Sequence, residues 1–399
     1  MSGTSHRGLP AAVALRSLPY MVPHTSRISA LLLCLVAPPL LAQDHAADPE
    51  TAAAITARAE SERARLGIPG MSVAVGWGGL IRYSEGFGLA DLEQGVEVTS
   101  KTRFRTASIA KPMTAVAIMQ LAAQGKLSLE DDILQHVPKF RPKQWEVTVK
   151  DLLCHQGGVR HYEAPGESHG TDSFLTVHES LKLFDRSKLA HQPGTKFHYT
   201  TFGYTLLGAA IINASETPYA EYMQEHIWGP AGMKSTCVDY HYEVIPHRAR
   251  GYMRPNKANR AKLAIPLNKR VKNGDFLRAP LHDTSMKIPG GGLLSTSEDL
   301  VRFGMAMLQD GRLVARSVAQ RMFTPVPTST GKETRVGLGW FSIPTTFGKF
   351  VGHSGGQAGV TCMLVVNPDT GVAVAVMTNL QGVVGIRDMA TGIAQLARP

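Results

Sequence analysis

The sequence places a serine and a lysine three residues apart in a segment that favours the start of a helix. In Ser108-Ile109-Ala110-Lys111-Pro112 the two side chains would lie on one helical face, one turn apart. Because Pro112 is tolerated only near a helix start, Ser108 would stand at the N-terminus, where backbone N–H groups favour a developing anion. A serine becomes a nucleophile beside a base, and a lysine whose pKa is lowered by burial and a cationic neighbour can be that base. An ordinary helix start with an exposed lysine would show the same pattern.

Two later segments carry residue types that could complete such a site. Tyr199 stands just before an apolar helical stretch, where its side chain could face a cleft, although a packing tyrosine fits equally well. The segment 352–356 (GHSGG) stands directly before a predicted strand over 360–366, and its small residues would let a substrate lie along a sheet edge. The N–H of Gly356 could then form an oxyanion hole with that of Ser108.

In chain order these segments resemble the motifs of the serine β-lactamase and penicillin-binding protein superfamily. The likeness is greatest to its class C, D-alanyl-D-alanine carboxypeptidase and LACTB-like branch. That family carries S-x-x-K, then Y-x-N or Y-S-x, then K-T-G or H-T-G. The resemblance extends from about Glu60 to the C-terminus. It includes supporting segments at 151–158 (DLLCHQGG), 290–296 (GGGLLST) and 337–340 (GLGW).

The resemblance implies a role for each matching residue. Ser108 would form the acyl-enzyme, Lys111 would accept its proton, and Tyr199 would relay a proton to the leaving group. His353 would take the place of the lysine in the third motif, and the backbone N–H groups of Ser108 and Gly356 would form the oxyanion hole. The residues implied to bind substrate are Thr201, Ser354 and Gly355. Neither a cofactor nor a metal is expected.

Two positions depart from the β-lactamase pattern. Thr201 stands where β-lactamases usually have the asparagine that holds the acylamide side chain, and His353 replaces the lysine that pairs with the β-lactam carboxylate. Both changes favour a peptidase, amidase or esterase with weak or no β-lactamase activity, although a true class C-like β-lactamase stays an alternative. The basic stretch from Arg248 to Arg278 is either a solvated surface segment or a basic rim suited to a substrate with a carboxylate.

Two other classes of function compete with this interpretation. The segment 352–356 also matches G-x-S-x-G, the nucleophile elbow of α/β-hydrolases, but no histidine follows His353 and the triad cannot be completed in that order. A non-catalytic binding or scaffold protein that retains the fold is motivated by the substituted Thr201. A covalent serine probe distinguishes that class, because a scaffold would not be labelled at Ser108.

Strand-like segments at both ends of the chain surround a mostly helical middle. The predicted strands are 71–77, 80–87, 359–367 and 372–379. The predicted helices are 49–66, 108–124, 129–136, 148–154, 202–214, 219–228 and 384–396. This order predicts an α+β fold (an α/β sandwich), with one antiparallel sheet built from N- and C-terminal strands and covered by helices. A helical subdomain would be inserted over roughly 120–300, with a cleft where it meets the sheet edge.

The first 42 residues differ in composition from the rest of the chain. They contain three arginines and no acidic residue, and they end in an apolar run over 28–42 that is too short for a bilayer-spanning helix. This predicts a secretory signal peptide, with Met21 as an alternative start, before a single exported domain over 43–399 that is periplasmic or extracellular. A mitochondrial transit peptide is the alternative. No nucleic-acid motif is present, so the expected partner is a small-molecule or peptide substrate.

Overall fold

A seven-stranded antiparallel sheet, built from both ends of the chain, forms the centre of the protein. The computed structural model describes residues 46–163, 167–168, 170–271 and 275–397, so the predicted signal peptide over 1–42 and its alternative start Met21 lie outside the described residues. The strands are β1 (Gly70–Trp77), β2 (Leu80–Asp91), β3 (Val96–Glu97), β4 (Phe341–Thr345), β5 (Gly348–Gln357), β6 (Val360–Val366) and β7 (Ala373–Thr378). Their order is β3-β2-β1-β7-β6-β5-β4, so N- and C-terminal strands meet where β1 pairs with β7. The predicted α+β fold is confirmed.

Helices cover both faces of the sheet. The longer ones are α1 (Pro49–Arg65), α2 (Ala110–Ala123), α3 (Thr201–Ser215), α4 (Ser297–Ala306), α5 (Arg316–Phe323) and α6 (Ile386–Leu396). Because strand side chains alternate between faces, Met363 and Val365 of β6 pack in a cluster with α1 and α6. Leu364 and Val366 belong to the other cluster, which contains α2, α3 and α4. Two apolar layers therefore enclose the sheet.

The chain between β3 and β4 carries many helices and a few short strands, joined by loops. Its shorter α-helices are Ile133–His136, Val149–Leu153, Val177–Ser180, Tyr219–Met223, Gly229–Ala231, Lys257–Lys262 and Ile288–Gly291. Three 3₁₀ helices (Ala107–Ile109, Leu181–Leu183, Ser285–Lys287) and one π-helix (Gln224–Trp228) accompany them. The short strands are Phe104–Arg105, Cys237–Val238, Tyr252–Met253, Leu277–Arg278 and Leu293–Ser295. In the described part of the chain no helix is long and apolar enough to cross a bilayer.

The glycine-rich segment 352–356 directly precedes the predicted strand, which is β6, but it also lies within a strand of its own, β5, which the sequence did not predict. Glycine disfavours strands locally, but β5 is paired with β4 on one side and β6 on the other. At Gly355 a Cβ atom would lie 2.3 Å from the Thr106 carbonyl oxygen, so only glycine allows the strand to approach the chain beside Ser108. Tertiary pairing therefore outweighs local propensity here.

Ion pairs hold several arginines of the basic stretch 248–278 against the rest of the protein. Arg248 pairs with the buried Asp239, and Arg250 pairs with Asp91 and Glu93. Arg254 donates a hydrogen bond to the Leu66 carbonyl. Within the described part of the stretch, the charges of Arg248 and Arg250 are thus compensated by carboxylates.

Candidate active site

Ser108 lies at the turn that leads into helix α2. It belongs to the 3₁₀ helix Ala107–Ile109, and α2 begins at Ala110, so the predicted helix over 108–124 starts with a tighter turn. The preceding residue, Ala107, has φ of 45°, a conformation that is unusual for a residue with a side chain. Such backbone strain tends to occur where the surrounding structure fixes a functional residue. Ser108 is partly exposed and lines two clefts.

The side chain of Lys111 is fully buried and reaches three oxygen atoms. Its Nζ lies 3.1 Å from Ser108 Oγ, 3.2 Å from Thr201 Oγ1 and 2.6 Å from the Gly290 carbonyl oxygen. The Gly290 carbonyl can only accept a hydrogen bond. If the amine is neutral, its two N–H groups can serve Gly290 and Thr201, and its lone pair is then left for the hydroxyl proton of Ser108.

Burial lowers the pKa of Lys111 well below its ordinary value, and the positive charge of Lys287 lowers it further. Both causes disfavour the ammonium form, because charge is costly in a site from which water is excluded. A neutral lysine next to a serine hydroxyl is the state that can accept a proton. The predicted Ser108 and Lys111 pair is therefore assembled with the electrostatics that general-base chemistry requires.

Tyr199 faces the same pair from the turn before α3. Its hydroxyl faces Ser108, whose hydroxyl lowers the pKa of Tyr199, and its ring lies 5.0 Å from Lys111 Nζ. Burial raises the pKa of Tyr199, so it stays protonated and can donate. The ring packs 4.3 Å from the ring of His155, whose Nδ1 accepts the N–H of Thr200 at 3.2 Å. His155 thus fixes both the tyrosine ring and the backbone that carries it.

Thr201 is buried beside Lys111 and lines the cleft. Its hydroxyl accepts a hydrogen bond from Lys111 and lowers the pKa of the neighbouring Tyr162, while its N–H donates to His161 Nδ1 at 3.2 Å. The structure therefore shows Thr201 as a hydrogen-bond partner of Lys111. Its role in binding substrate stays a prediction.

His353 lies near the pair but carries no charge. The ring is buried, its centroid is 6.1 Å from that of Tyr199, and Nδ1 donates to the Ser354 carbonyl at 2.6 Å. Burial lowers the pKa of His353 to about 3, and the charge of Lys111 contributes to this shift. At neutral pH the ring is therefore neutral. It cannot supply the positive charge that a lysine at this position would bring.

Strand β5 forms one wall of the site. Ser354 and Gly356 are exposed and line both clefts, whereas Gly355 is buried against Thr106. The backbone of Gly356 is thus on the same clefts as Ser108, as the predicted oxyanion hole requires. The hole itself stays a prediction.

Two clefts meet at Ser108. The first has a volume of about 570 Å³ and lies between β5 and the loops that carry His161, Tyr199 and Lys287. The second, of about 780 Å³, extends past His353 toward Phe341, Arg335 and Arg387. Both volumes fall in the range of small-molecule sites. In the described residues no cluster of three or more His, Cys, Asp or Glu side chains could hold a metal ion.

Four residues at the site were not singled out as site residues in the sequence. Gly290 accepts from Lys111, His161 and Tyr162 surround Thr201, and Lys287 lies buried on the first cleft. At Gly290 a Cβ atom would lie 2.7 Å from Thr201 Cγ2, which explains the glycine. The only sequence signal for Lys287 is one charged residue in an otherwise apolar run before a triple glycine, which alone predicts nothing.

The comparison with family models matches residues 55–398 to the family described as Beta-lactamase. The chain belongs to this family. The match spans every strand of the sheet and every residue of the site described above. It confirms the resemblance drawn from the three sequence motifs.

Individual relatives agree with this assignment. The human "Serine beta-lactamase-like protein LACTB, mitochondrial" is 29% identical, over 82% of this chain and 76% of its own. The octameric penicillin-binding protein homologue from Pyrococcus abyssi is 27% identical, with a TM-score of 0.68, over 86% of this chain and 77% of its own. The D-amino acid amidase from Ochrobactrum anthropi SV3 is 24% identical, with a TM-score of 0.74, over 87% of this chain and 98% of its own. The last of these comparisons shows a shared fold.

Proposed function

We propose that this protein is a serine hydrolase that acts on amides, peptides or esters through a covalent acyl-enzyme on Ser108. The observation that carries the proposal is the placement of Ser108 Oγ 3.1 Å from the buried Nζ of Lys111, whose other two neighbours accept its N–H bonds. Family membership supports the same class of reaction.

Acylation follows from this arrangement. Neutral Lys111 takes the hydroxyl proton of Ser108 while Oγ attacks the carbonyl carbon of the substrate. The negative charge on the carbonyl oxygen is stabilised by the backbone N–H groups of Ser108 and Gly356. When the tetrahedral intermediate collapses, the bond to the leaving group breaks and the hydroxyl of Tyr199 supplies a proton to that group. Lys111 returns its proton to Tyr199, directly or through the hydrogen bonds that join them.

Deacylation repeats these steps with water as the nucleophile. Water gives a proton to the base, attacks the ester carbonyl, and releases the acid while Ser108 Oγ is reprotonated. The neutral His353 and the engagement of Thr201 with Lys111 remove two contacts that a β-lactam substrate would use. We therefore place the activity with peptidases, amidases or esterases, with weak or no hydrolysis of β-lactams.

Intact-mass analysis after treatment with a fluorophosphonate, and separately with a penicillin, tests the proposal. We expect one fluorophosphonate adduct on the wild-type chain and none on Ser108→Ala. Ser329→Ala, which removes an exposed serine away from both clefts, serves as the matched control and should be labelled normally. A penicillin adduct that decays quickly would instead favour the class C-like β-lactamase. A folded wild-type chain that gives no adduct with either reagent would favour the scaffold alternative.

We further propose that the segment 1–42 is a targeting segment. The composition favours export, whereas the name of the human relative, which describes that protein as mitochondrial, supports the transit-peptide alternative. Fusion of this segment to a reporter, followed by fractionation of bacterial and eukaryotic host cells, would distinguish periplasmic from mitochondrial delivery.

A further inference from the structure

Lys287 is a second buried lysine on the first cleft, and the catalytic steps above leave its amine without a role. It ends the 3₁₀ helix Ser285–Lys287 and directly precedes the helical turn Ile288–Gly291, whose Gly290 holds Lys111. Only 3% of its surface is exposed, yet it lines the cleft beside Ser108. The fold thus brings an amine to the substrate cavity at a cost in desolvation.

Among the described residues, Lys287 uses one of the three donors of an ammonium group. An ammonium has three donors, and Nζ donates to the Ser168 carbonyl at 3.3 Å and lies 5.7 Å from the ring of Tyr162. Within the described part of the chain, no carboxylate forms an ion pair with Nζ. Asp239, whose charge reaches Lys287, is bound at 2.6 Å by Arg105.

Lys111, His353 and His161 are not placed to receive an anion in this cleft, whereas Lys262 is an exposed lysine that also lines it. Lys111 is held by Ser108, Thr201 and Gly290, and its pKa favours the neutral form. His353 is neutral and lines the second cleft, with its Nδ1 proton already donated to Ser354. His161 uses Nδ1 as an acceptor for the N–H of Thr201, and burial lowers its pKa to about 4.

We propose that Lys287 forms an anion-binding subsite beside Ser108 that takes a carboxylate of the substrate. The substrate class is then an amide or ester that carries a carboxylate and fits a cleft of about 570 Å³. A carboxylate in this position completes the hydrogen bonding of Lys287 and replaces the missing ion-pair partner. This inference deepens the proposed function and rests on it.

The subsite can be measured without turnover. The full chain carrying Ser108→Ala is titrated with phenylacetate and, separately, with phenylacetamide, and the dissociation constants are determined by ligand-observed NMR. We expect phenylacetate to bind at least tenfold more tightly than its neutral analogue. Adding Lys287→Met should weaken phenylacetate binding tenfold or more and change phenylacetamide binding less than twofold. Lys287→Arg, which keeps the charge, should restore much of the preference.

The rival cations are Lys262, which lines the first cleft, and Arg335, which lines the second. Lys262→Met and Arg335→Met, each in the same Ser108→Ala background, should retain the preference for phenylacetate. Equal affinities of the two ligands would overturn the proposal, as would a preference that survives Lys287→Met or disappears with Lys262→Met or Arg335→Met. If Lys287→Met does not fold, as judged by circular dichroism, Lys287→Gln replaces it. A failure here leaves the Ser108 adduct intact, whereas failure of the proposed function removes that adduct.

Discussion

Two buried lysines belong to this site, Lys111 beside the hydroxyl of Ser108 and Lys287 on the first cleft, and their surroundings differ in one respect that separates their chemistry. Lys111 meets three oxygen atoms within 3.2 Å, including the hydroxyl of Ser108. Among the described residues, Nζ of Lys287 donates to one carbonyl oxygen at 3.3 Å and lies 5.7 Å from the ring of Tyr162. Burial lowers the pKa of both, to about 7 for Lys287 and well below the ordinary value for Lys111.

The difference shows how similar burial can prepare two amines for opposite tasks. Lys111 has acceptors for both N–H bonds of a neutral amine and a proton donor for its lone pair, which suits a base. Lys287 has room for further acceptors, which suits an ammonium that binds an anion. Because the charge of Lys287 also lowers the pKa of Lys111, the second lysine supports the neutral state of the first.

The sharpest test compares the same substitution at the two lysines. Lys111→Met should slow fluorophosphonate labelling of Ser108 by about 10²- to 10⁴-fold, the range expected for loss of a general base. Lys287→Met should slow it less than tenfold, because the base remains. Labelling rates are measured by intact mass at pH 7.5, with circular dichroism as a check on folding. Equal losses in the two variants would contradict the division of roles.

Tyr199→Phe should have a smaller effect than Lys111→Met. The substitution removes the hydroxyl that faces Ser108 but keeps the ring that packs on His155. We expect the turnover of an amide to fall by about 10- to 100-fold, since a proton donor to the leaving group is lost. An activated ester, whose leaving group needs no proton, should be affected less. A loss that is the same for ester and amide would argue against a role in leaving-group protonation.

Lys287→Met should also raise stability near neutral pH. The pKa of Lys287 is about 7 in the folded chain and near 10.5 when unfolded, so the unfolded chain binds more protons between these values. The contribution of Lys287 to the free energy of unfolding therefore rises with pH across that window, by on the order of a few kcal/mol. The variant should melt several degrees higher at pH 7, and its advantage should shrink toward pH 10.

The comparison of wild type with Lys287→Met isolates the effect of the Lys287 amine on stability, because Lys111 is present in both. Thermal unfolding of wild type and variant at pH 7 and pH 9.5 gives the result. If the difference in melting temperature between wild type and Lys287→Met were the same at pH 7 and pH 9.5, burial of the Lys287 amine would carry no such cost.

The smallest expected effect is a shift in the pH dependence of labelling. The rate should rise with pH as Lys111 loses its proton and should level off below pH 10.5, because burial lowers that pKa. In Lys287→Met the rise should move toward higher pH by less than one unit, since a positive charge that disfavours protonated Lys111 is removed. Labelling rates of wild type and Lys287→Met, measured from pH 5 to pH 9.5 with a pH-insensitive fluorophosphonate, show in which direction the midpoint moves. A move toward lower pH would contradict the electrostatic link.

Much of the fold was predictable because strand and helix patterns are local. Apolar and β-branched runs bounded by turn residues marked the strands at both ends of the chain, and the helices over 49–66 and 202–214 begin and end within one residue of prediction. The predicted helix boundaries were wrong where contacts with other parts of the fold shorten or reshape a helix. The predicted helix 129–136 is helical only over Ile133–His136, and 219–228 ends as a π-helix.

The sequence by itself determined the Ser108 and Lys111 pair, because a spacing of three residues at a helix start brings two side chains together whatever surrounds them. It also pointed to Tyr199 and segment 352–356, but only through the resemblance to a family. The tertiary structure alone decided that His353 is neutral, that Thr201 serves the lysine, and that Lys287 lies on the cleft. Those properties depend on burial and on contacts between segments about 90 to 250 residues apart, which no local pattern encodes.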